Sequence, residues 1–399
     1  MTPIILLLLL LHGWVGWRIA PALAAWSPLA EGSMWVLLYA SALLIPLGFT
    51  SRRRQGSTPL AQAVTWAGLI AMGLFSTLVV LTLMRDALLV AGLALTIVAR
   101  FTARGDVALD ALLAWSAAAV PLLALLITGW GLRNARQTAQ VIQVDVPIAG
   151  LPEALQGFSV AQISDIHVGP TIRHGYLLRI VERVNALGAD MVAITGDLVD
   201  GSVDDLRMHV APLSQLVSTH GSFFVTGNHE YYSGAHAWMT ELRSLGVQVL
   251  MNEHRVLHHA NASTPVPDGL AILSDTEMVV VAGVADFSAH HFDPSHRSDP
   301  HAAMRGSPSG ARLRLLLAHQ PRSALAAAGA GYDLQLSGHT HGGQFWPWMH
   351  FVRFQQPFTA GLRRLDNLWV YTNRGTGYWG PPKRFGVASE ITHLRLVRA

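Results

Sequence analysis

Five short polar clusters hold the side chains of this chain that could do chemistry. They are Asp165-Ile166-His167, Gly196-Asp197, Gly227-Asn228-His229-Glu230, Ala318-His319-Gln320 and Gly338-His339-Thr340-His341. Their metal-binding groups are carboxylates, an amide oxygen and imidazoles. The chain contains no cysteine, which excludes thiolate metal sites, disulfides and thiol catalysis. In an extended segment, residues i and i+2 face the same way, so Asp165 and His167 can reach one ion together. Asp197 follows a glycine that lets the backbone come close, and a carboxylate can bridge two cations. Asn228 offers a neutral oxygen. His339 and His341 repeat the i, i+2 spacing, although a turn after Gly338 can direct them apart, and His319 stands alone. Together these groups suffice for two divalent cations side by side, an arrangement that activates water and clamps a phosphate. Imidazole and carboxylate without thiolate suit Mn, Fe or Zn.

The elements that must position these clusters are readable as apolar runs. Residues 158–163, 191–194, 223–225, 278–282, 313–317 and 334–336 have the character of buried strands. Helical spacing of apolar residues marks 174–187, 238–245 and 322–328. Strands alternating with helices predict a layered α/β domain, with ligands gathered at the carboxyl ends of the strands. The clusters follow such runs. Residues 260–269 and 288–310 look like loops. The second contains His290, His291, His296 and His301, which could bind metal, but it is read as a solvated surface excursion because no cluster there follows an ordered strand.

The first third of the chain has a different character. Hydrophobic residues make up 51% of the whole and charged residues 13%, against about 25% charged in an average soluble protein. The excess lies in apolar stretches predicted as transmembrane helices at 3–24, 33–50, 63–84 and 108–131. Arg18 would snorkel from the first. A further apolar run, 87–98, is too short to span comfortably and reads as a continuation of the third helix or an interfacial segment. Residues 22–24 have the small-x-small form of a cleavage site. No Lys or Arg precedes the apolar core, which favours a retained helix over a signal peptide. Arg52, Arg53 and Arg54, and then Arg133 and Arg136, mark cytoplasmic ends, while Arg85, Arg100 and Arg104 fall on the opposite side. The expected organisation is a membrane domain over 1–135 and a cytoplasmic domain over 136–399, in a bacterial inner membrane. The soluble part shows no cluster of Lys and Arg interleaved with aromatics, so nucleic acid is not an expected partner. Residues 261–263 match a glycosylation sequon, a pattern too short to carry weight.

The ordered pattern D-x-H, G-D, G-N-H-[DE], a lone H and G-H-x-H resembles the calcineurin-like metallophosphoesterase superfamily. All five elements are present in order, from about residue 156 to the C-terminus. The stretches 164–169, 227–232, 338–344 and 374–377 look more narrowly like the bacterial, membrane-anchored, YkuE-like branch. The resemblance implies an α/β-sandwich phosphoesterase domain following the transmembrane helices. It assigns Asp165, His167 and His341 to one metal and Asn228, His319 and His339 to the other, with Asp197 bridging them. His229 would assist the transition state or protonate the leaving oxygen, and Glu230 would support the site by hydrogen bonding. Arg374 would serve as a phosphate contact or a structural ion pair. The implied function is a metal-dependent hydrolase of a phosphomonoester, phosphodiester or pyrophosphate bond. Its substrate would be amphipathic, drawn from or near membrane lipids. The rival is a non-catalytic membrane sensor or scaffold, which a degraded ligand set would favour.

Overall fold

The computed structural model describes residues 2–52, 58–101, 109–259 and 278–399. Arg53, Arg54 and Arg104, the loop 260–269 and the sequon 261–263 lie outside the described residues. The chain divides into two units, Met1–Arg136 with Gly380–Phe385, and Gln137–Trp379 with Gly386–Ala399. The short segment Gly380–Phe385, read from sequence as part of the second domain, groups with the helices. Lys383 explains this, since its ammonium donates to the Gly73 carbonyl at 3.1 Å and to the Thr77 hydroxyl.

The first unit is built from α1 (Thr2–Leu23), α2 (Pro28–Arg52), α3 (Pro59–Phe101) and α4 (Leu109–Arg136). All four are long and apolar enough to cross a membrane. α3 has 43 residues, about 64 Å at 1.5 Å per residue, roughly twice the thickness of a bilayer core. It absorbs the apolar run 87–98 as a continuation of the third helix. Arg18 does not snorkel alone. Its guanidinium meets Asp86 of α3 through three contacts of 2.8–3.0 Å, because a partnered cation costs far less in an apolar bundle than an unpartnered one. α2 and α3 cross at Gly48 and Gly68, where an added Cβ on either would meet the other's backbone. Small residues at a helix crossing allow such close approach.

The second unit contains twelve strands among its described residues. In chain order these are β1 (Gln140–Ile148), β2 (Ser159–Ile163), β3 (Met191–Ile194), β4 (Ser222–Phe224), β5 (Gln248–Val249), β6 (Glu253–His258), β7 (Met278–Gly283), β8 (Leu313–Leu317), β9 (Leu334–Ser337), β10 (Gly361–Leu365), β11 (Leu368–Thr372) and β12 (Glu390–Arg398). They form two six-stranded sheets, ordered β1-β12-β2-β3-β4-β5 and β10-β11-β9-β8-β7-β6. Within them, β2 through β5 run parallel, as do β7, β8, β9 and β11. The sheets share one apolar core. Val160, Ala193 and Phe223 from the first meet Val281, Leu315 and Leu336 from the second. Alternate residues of the same strands point outward and are also buried, for instance Ala161, Ile163 and Ile194. α5 (His174–Asn185) presents Leu177, Ile180, Val181 and Val184 as a buried stripe. This layered α/β arrangement explains why β3 and β7 are apolar throughout. Three further helices matter for the site: α6 (Val203–Val210), α7 (Asn228–Ser233) and α8 (Ala235–Ser244).

Candidate metal centre

Every predicted cluster sits just past the carboxyl end of a parallel strand. Asp165 and His167 follow β2, Asp197 follows β3, Asn228 and His229 follow β4, His319 follows β8, and His339 and His341 follow β9. The chain turns sharply as it leaves these strands. Asp165, His167, Asp197, His339 and His341 all have positive φ, between 50° and 70°. Such a backbone costs about 1–3 kcal/mol per residue outside glycine, and it concentrates where geometry serves function. Hydrogen bonds hold the strained segment: Asp165 N–H donates to the Gly196 carbonyl at 3.0 Å and His167 N–H to the Asp197 carbonyl at 3.1 Å. Gly196 has φ +84°, and a Cβ there would lie 2.6 Å from the Gly227 nitrogen and 2.8 Å from His319 Nδ1. A Cβ on Gly227 would collide with the Asp197 carboxylate. These glycines let three clusters converge.

The convergence is close. His167 Nε2 and His341 Nε2 are 3.0 Å apart, and His341 Nε2 is 3.5 Å from Asp165 Oδ1. His319 Nε2 lies 3.2 Å from Asp197 Oδ2 and 3.2 Å from His339 Nδ1. Asp197 Oδ2 is also 3.9 Å from His167 Nε2. Asp165, His167 and His341 could hold one ion, and Asp197, His319 and His339 another. His319 Nδ1 donates to the Thr195 carbonyl at 2.7 Å, which turns its Nε2 toward Asp197. The Asn228 side-chain oxygen is buried and has no hydrogen-bond partner. An orphaned buried acceptor costs about 1–3 kcal/mol, and a cation would satisfy it. The donor set therefore fits divalent metal on grounds of geometry and chemistry.

The calcineurin-like phosphoesterase family model matches residues 158–343. Residues 158–343 thus carry a calcineurin-like phosphoesterase domain. It is 38% identical over 287 residues to a transmembrane protein with a metallophosphoesterase domain from Danio rerio, a match covering 70% of this chain and 63% of that protein. A metallophosphoesterase of Campylobacter jejuni is 34% identical, with 66% of this chain and 65% of the relative covered. YkuE of Bacillus subtilis is 26% identical, with coverage of 62% and 81%. The chain thus spans under two thirds of the first two relatives.

Two further carboxylates lie against this cluster. Asp200 is absent from the sequence-predicted set, yet its Oδ1 lies 2.5 Å from His229 Nδ1 and its Oδ2 lies 3.2 Å from His167 Nδ1. The only sequence signal was its place three residues after Asp197. Glu230 is fully buried and accepts four backbone N–H groups: those of Gly227 at 2.6 Å, Leu198 at 2.8 Å, Asp197 at 3.0 Å and Val199 at 3.3 Å. It thereby pins the loop after β3 to the start of α7. Burial and the charge of Asp197 push its carboxyl up to about 7, against the pull of the Gly227 and Leu198 N–H groups. Glu230→Gln puts an amide donor against at least one pair of these N–H groups. Charged hydrogen bonds are worth about 1.5–3 kcal/mol each, so the second unit is expected to melt roughly 5–10 °C lower. Differential scanning calorimetry of metal-loaded protein at mildly alkaline pH checks this.

The electrostatics follow from the packing. Burial raises Asp165, with the His319 and His167 charges opposing. Burial also works to raise Asp197, but His319, His229 and His167 overcome it and hold the carboxyl well below its usual range. Burial works to lower His319, and Asp197 reverses this and holds it well above the ordinary imidazole range. Burial, then the charge of His319, depresses His339 to about 3. His229 resists burial through Asp197 and the Asp200 hydrogen bond and stands at about 9. Arg374 donates to Glu390 at 3.3 Å and forms an ion pair with it.

Proposed function

We propose that this chain is a membrane-anchored phosphoester hydrolase that works with two divalent ions. The buried, unpartnered Asn228 oxygen, set among paired imidazoles and carboxylates, is the observation that carries this reading. Asp165, His167 and His341 would hold one ion, Asn228, His319 and His339 the other, and Asp197 would bridge them. Mn, Fe and Zn all suit this set. Bound there, two divalent ions supply activation of water at neutral pH and neutralisation of phosphoryl charge. The protein supplies the proton. Asp197 and the Asp200 hydrogen bond raise His229 to about 9, which favours its protonated form, and its Nδ1 is engaged by Asp200. Its Nε2–H, 3.9 Å from Asp197 Oδ2, faces the centre and can protonate a departing oxygen.

The substrate we infer is amphipathic. The Tyr232 and Trp379 rings stand edge-on to His229, with centroids 5.4 and 5.7 Å away, and Phe292 packs on Tyr232 at 5.4 Å. All three are exposed. An aromatic rim beside the proton donor suits an apolar leaving group. Helices long enough to cross a membrane support a lipid-linked ester, whether a mono- or diester or a pyrophosphate. Arg133 and Arg136 at the end of α4 support a cytoplasmic location for the second unit. The test is a panel of soluble and lipid-linked phosphate esters assayed with Mn²⁺ in detergent. Turnover of lipid-linked esters is expected to exceed that of glycerol phosphate. Trp379→Ala is expected to raise KM for lipid-linked esters about tenfold, in line with the loss of one buried aromatic contact, and to leave glycerol phosphate unchanged. Equal KM changes for both substrates would remove the rim from specificity. A reporter fused after Ala399 tests the location.

A further inference from the structure

The segment read from sequence as a solvated excursion is ordered. Two short 3-10 turns, Ala289–His291 and Pro294–His296, bring Asp293 and His296 onto α8 beside His236. His236 Nε2 lies 3.1 Å from Asp293 Oδ2, and His296 Nε2 lies 3.8 Å from the same oxygen. One ligand atom from each residue falls within 4.8 Å of the other two. A tetrahedral zinc about 2.0–2.1 Å from its ligands places them roughly 3.3 Å apart, between the two separations seen here.

Each group is already turned toward a shared point. Asp293 Oδ1 accepts from the Ser295 backbone N–H at 2.9 Å and its hydroxyl at 2.6 Å. This leaves Oδ2 to face both imidazoles. His296 Nδ1 is 2.9 Å from the Tyr231 hydroxyl. With its proton on Nδ1, His296 donates to Tyr231 and aims the Nε2 lone pair at Asp293, the orientation an outer hydrogen bond gives to metal-binding histidines. An ion pair alone does not explain the arrangement. His236 and Asp293 are within hydrogen-bond reach, but His296 Nε2 at 3.8 Å is beyond it, although its side chain is only 15% exposed.

We propose that His236, Asp293 and His296 form a zinc site separate from the phosphoesterase centre, with its fourth position open to water. Two imidazoles and one carboxylate are borderline donors that suit Zn²⁺. The site would have a positioning role. Tyr231 belongs to α7, which begins with Asn228 and His229, and Phe292 of the excursion packs on both Tyr231 and Tyr232. A cation there ties the excursion to α8 and, through Tyr231, steadies the aromatic rim.

The test is zinc content of the full-length protein in detergent, measured by mass spectrometry after reconstitution with excess Zn²⁺ and desalting. His236→Ala and Asp293→Asn are each expected to lose one equivalent per chain relative to wild type. His236→Cys, which restores a zinc ligand to a chain without cysteine, is expected to regain it. In Co²⁺-substituted protein, the same pair of variants is expected to lose one tetrahedral visible-absorption band, while Asp165→Ala retains it. The comparison is always with wild type, so it does not depend on how many ions the phosphoesterase centre holds. Unchanged stoichiometry in both His236→Ala and Asp293→Asn would overturn the proposal.

Discussion

Exchanging His229 for alanine is expected to lower kcat toward a generic aryl phosphate by about 10²–10⁴-fold, the usual contribution of a positioned acid–base group. Metal content is expected to stay at the wild-type value. The separation follows from the geometry. His229 approaches Asp197 Oδ2 only at 3.9 Å and is held instead by Asp200 at 2.5 Å, whereas His319 reaches the same Asp197 oxygen at 3.2 Å. His229 therefore acts as a proton carrier facing the centre. Its pKa of about 9 keeps it charged at neutral pH, so activity should fade on the alkaline side as that proton is lost. Asp200→Asn tests the cause. It removes a negative charge that raises His229, so the alkaline limb should move to lower pH by about one to three pH units. Proportional loss of metal and activity in His229→Ala would make the residue a ligand and defeat the assignment. An unmoved alkaline limb in Asp200→Asn would detach the limb from His229.

The sequence made the central sheets legible because of where they lie. β3 and β7 are buried on both faces, so Met191–Ile194 and Met278–Gly283 read as continuous apolar runs, and β8 interrupts the pattern only at the half-buried Arg314. β1 and β12 were not legible. They pair with each other at the margin of their sheet, and Gln140–Ile148 mixes exposed and buried positions over nine residues. The ligand clusters stood out because Asp and His pairs directly follow apolar runs. Asp and His are also side chains that tolerate the positive φ these turns impose. Asp200 was hidden for a topological reason. It reaches His229 only because the loop 197–200 wraps round the Glu230 carboxylate, a contact that no local spacing encodes. The same holds for His236 and Asp293, 57 residues apart in sequence and 3.1 Å apart in space. Gly380–Phe385 carries no apolar run at all, and hydrogen bonds of Lys383 to Gly73 and Thr77 and of Arg384 to Gly131 and Asn134 assign it to the helices.

Metal affinity is expected to fall about tenfold per pH unit for each proton that the ions must displace, since ligands bind metal only when deprotonated. Two groups are poised to supply those protons. His319 is held protonated by Asp197 well above the ordinary imidazole range, and burial raises Asp165 above the ordinary carboxylate range. His339, depressed to about 3, already offers its lone pair and contributes none. The sign follows directly: acid favours the protonated centre and expels the ions, and base favours loading. Titration of stripped protein with Mn²⁺ or Zn²⁺ over roughly pH 6 to 8, the range in which imidazoles change charge, should show affinity rising with pH. Calorimetry in buffers of differing ionisation heat should show protons released on loading. Asp197→Asn separates the electrostatic cause from simple ligand loss. The variant binds more weakly at every pH, because a shared carboxylate is gone. Its pH dependence should also flatten by the contribution of His319, which burial alone would leave neutral. Affinity independent of pH in the wild-type chain would mean that protons do not stand where the ions bind, and the proposed ligand set would fall with it.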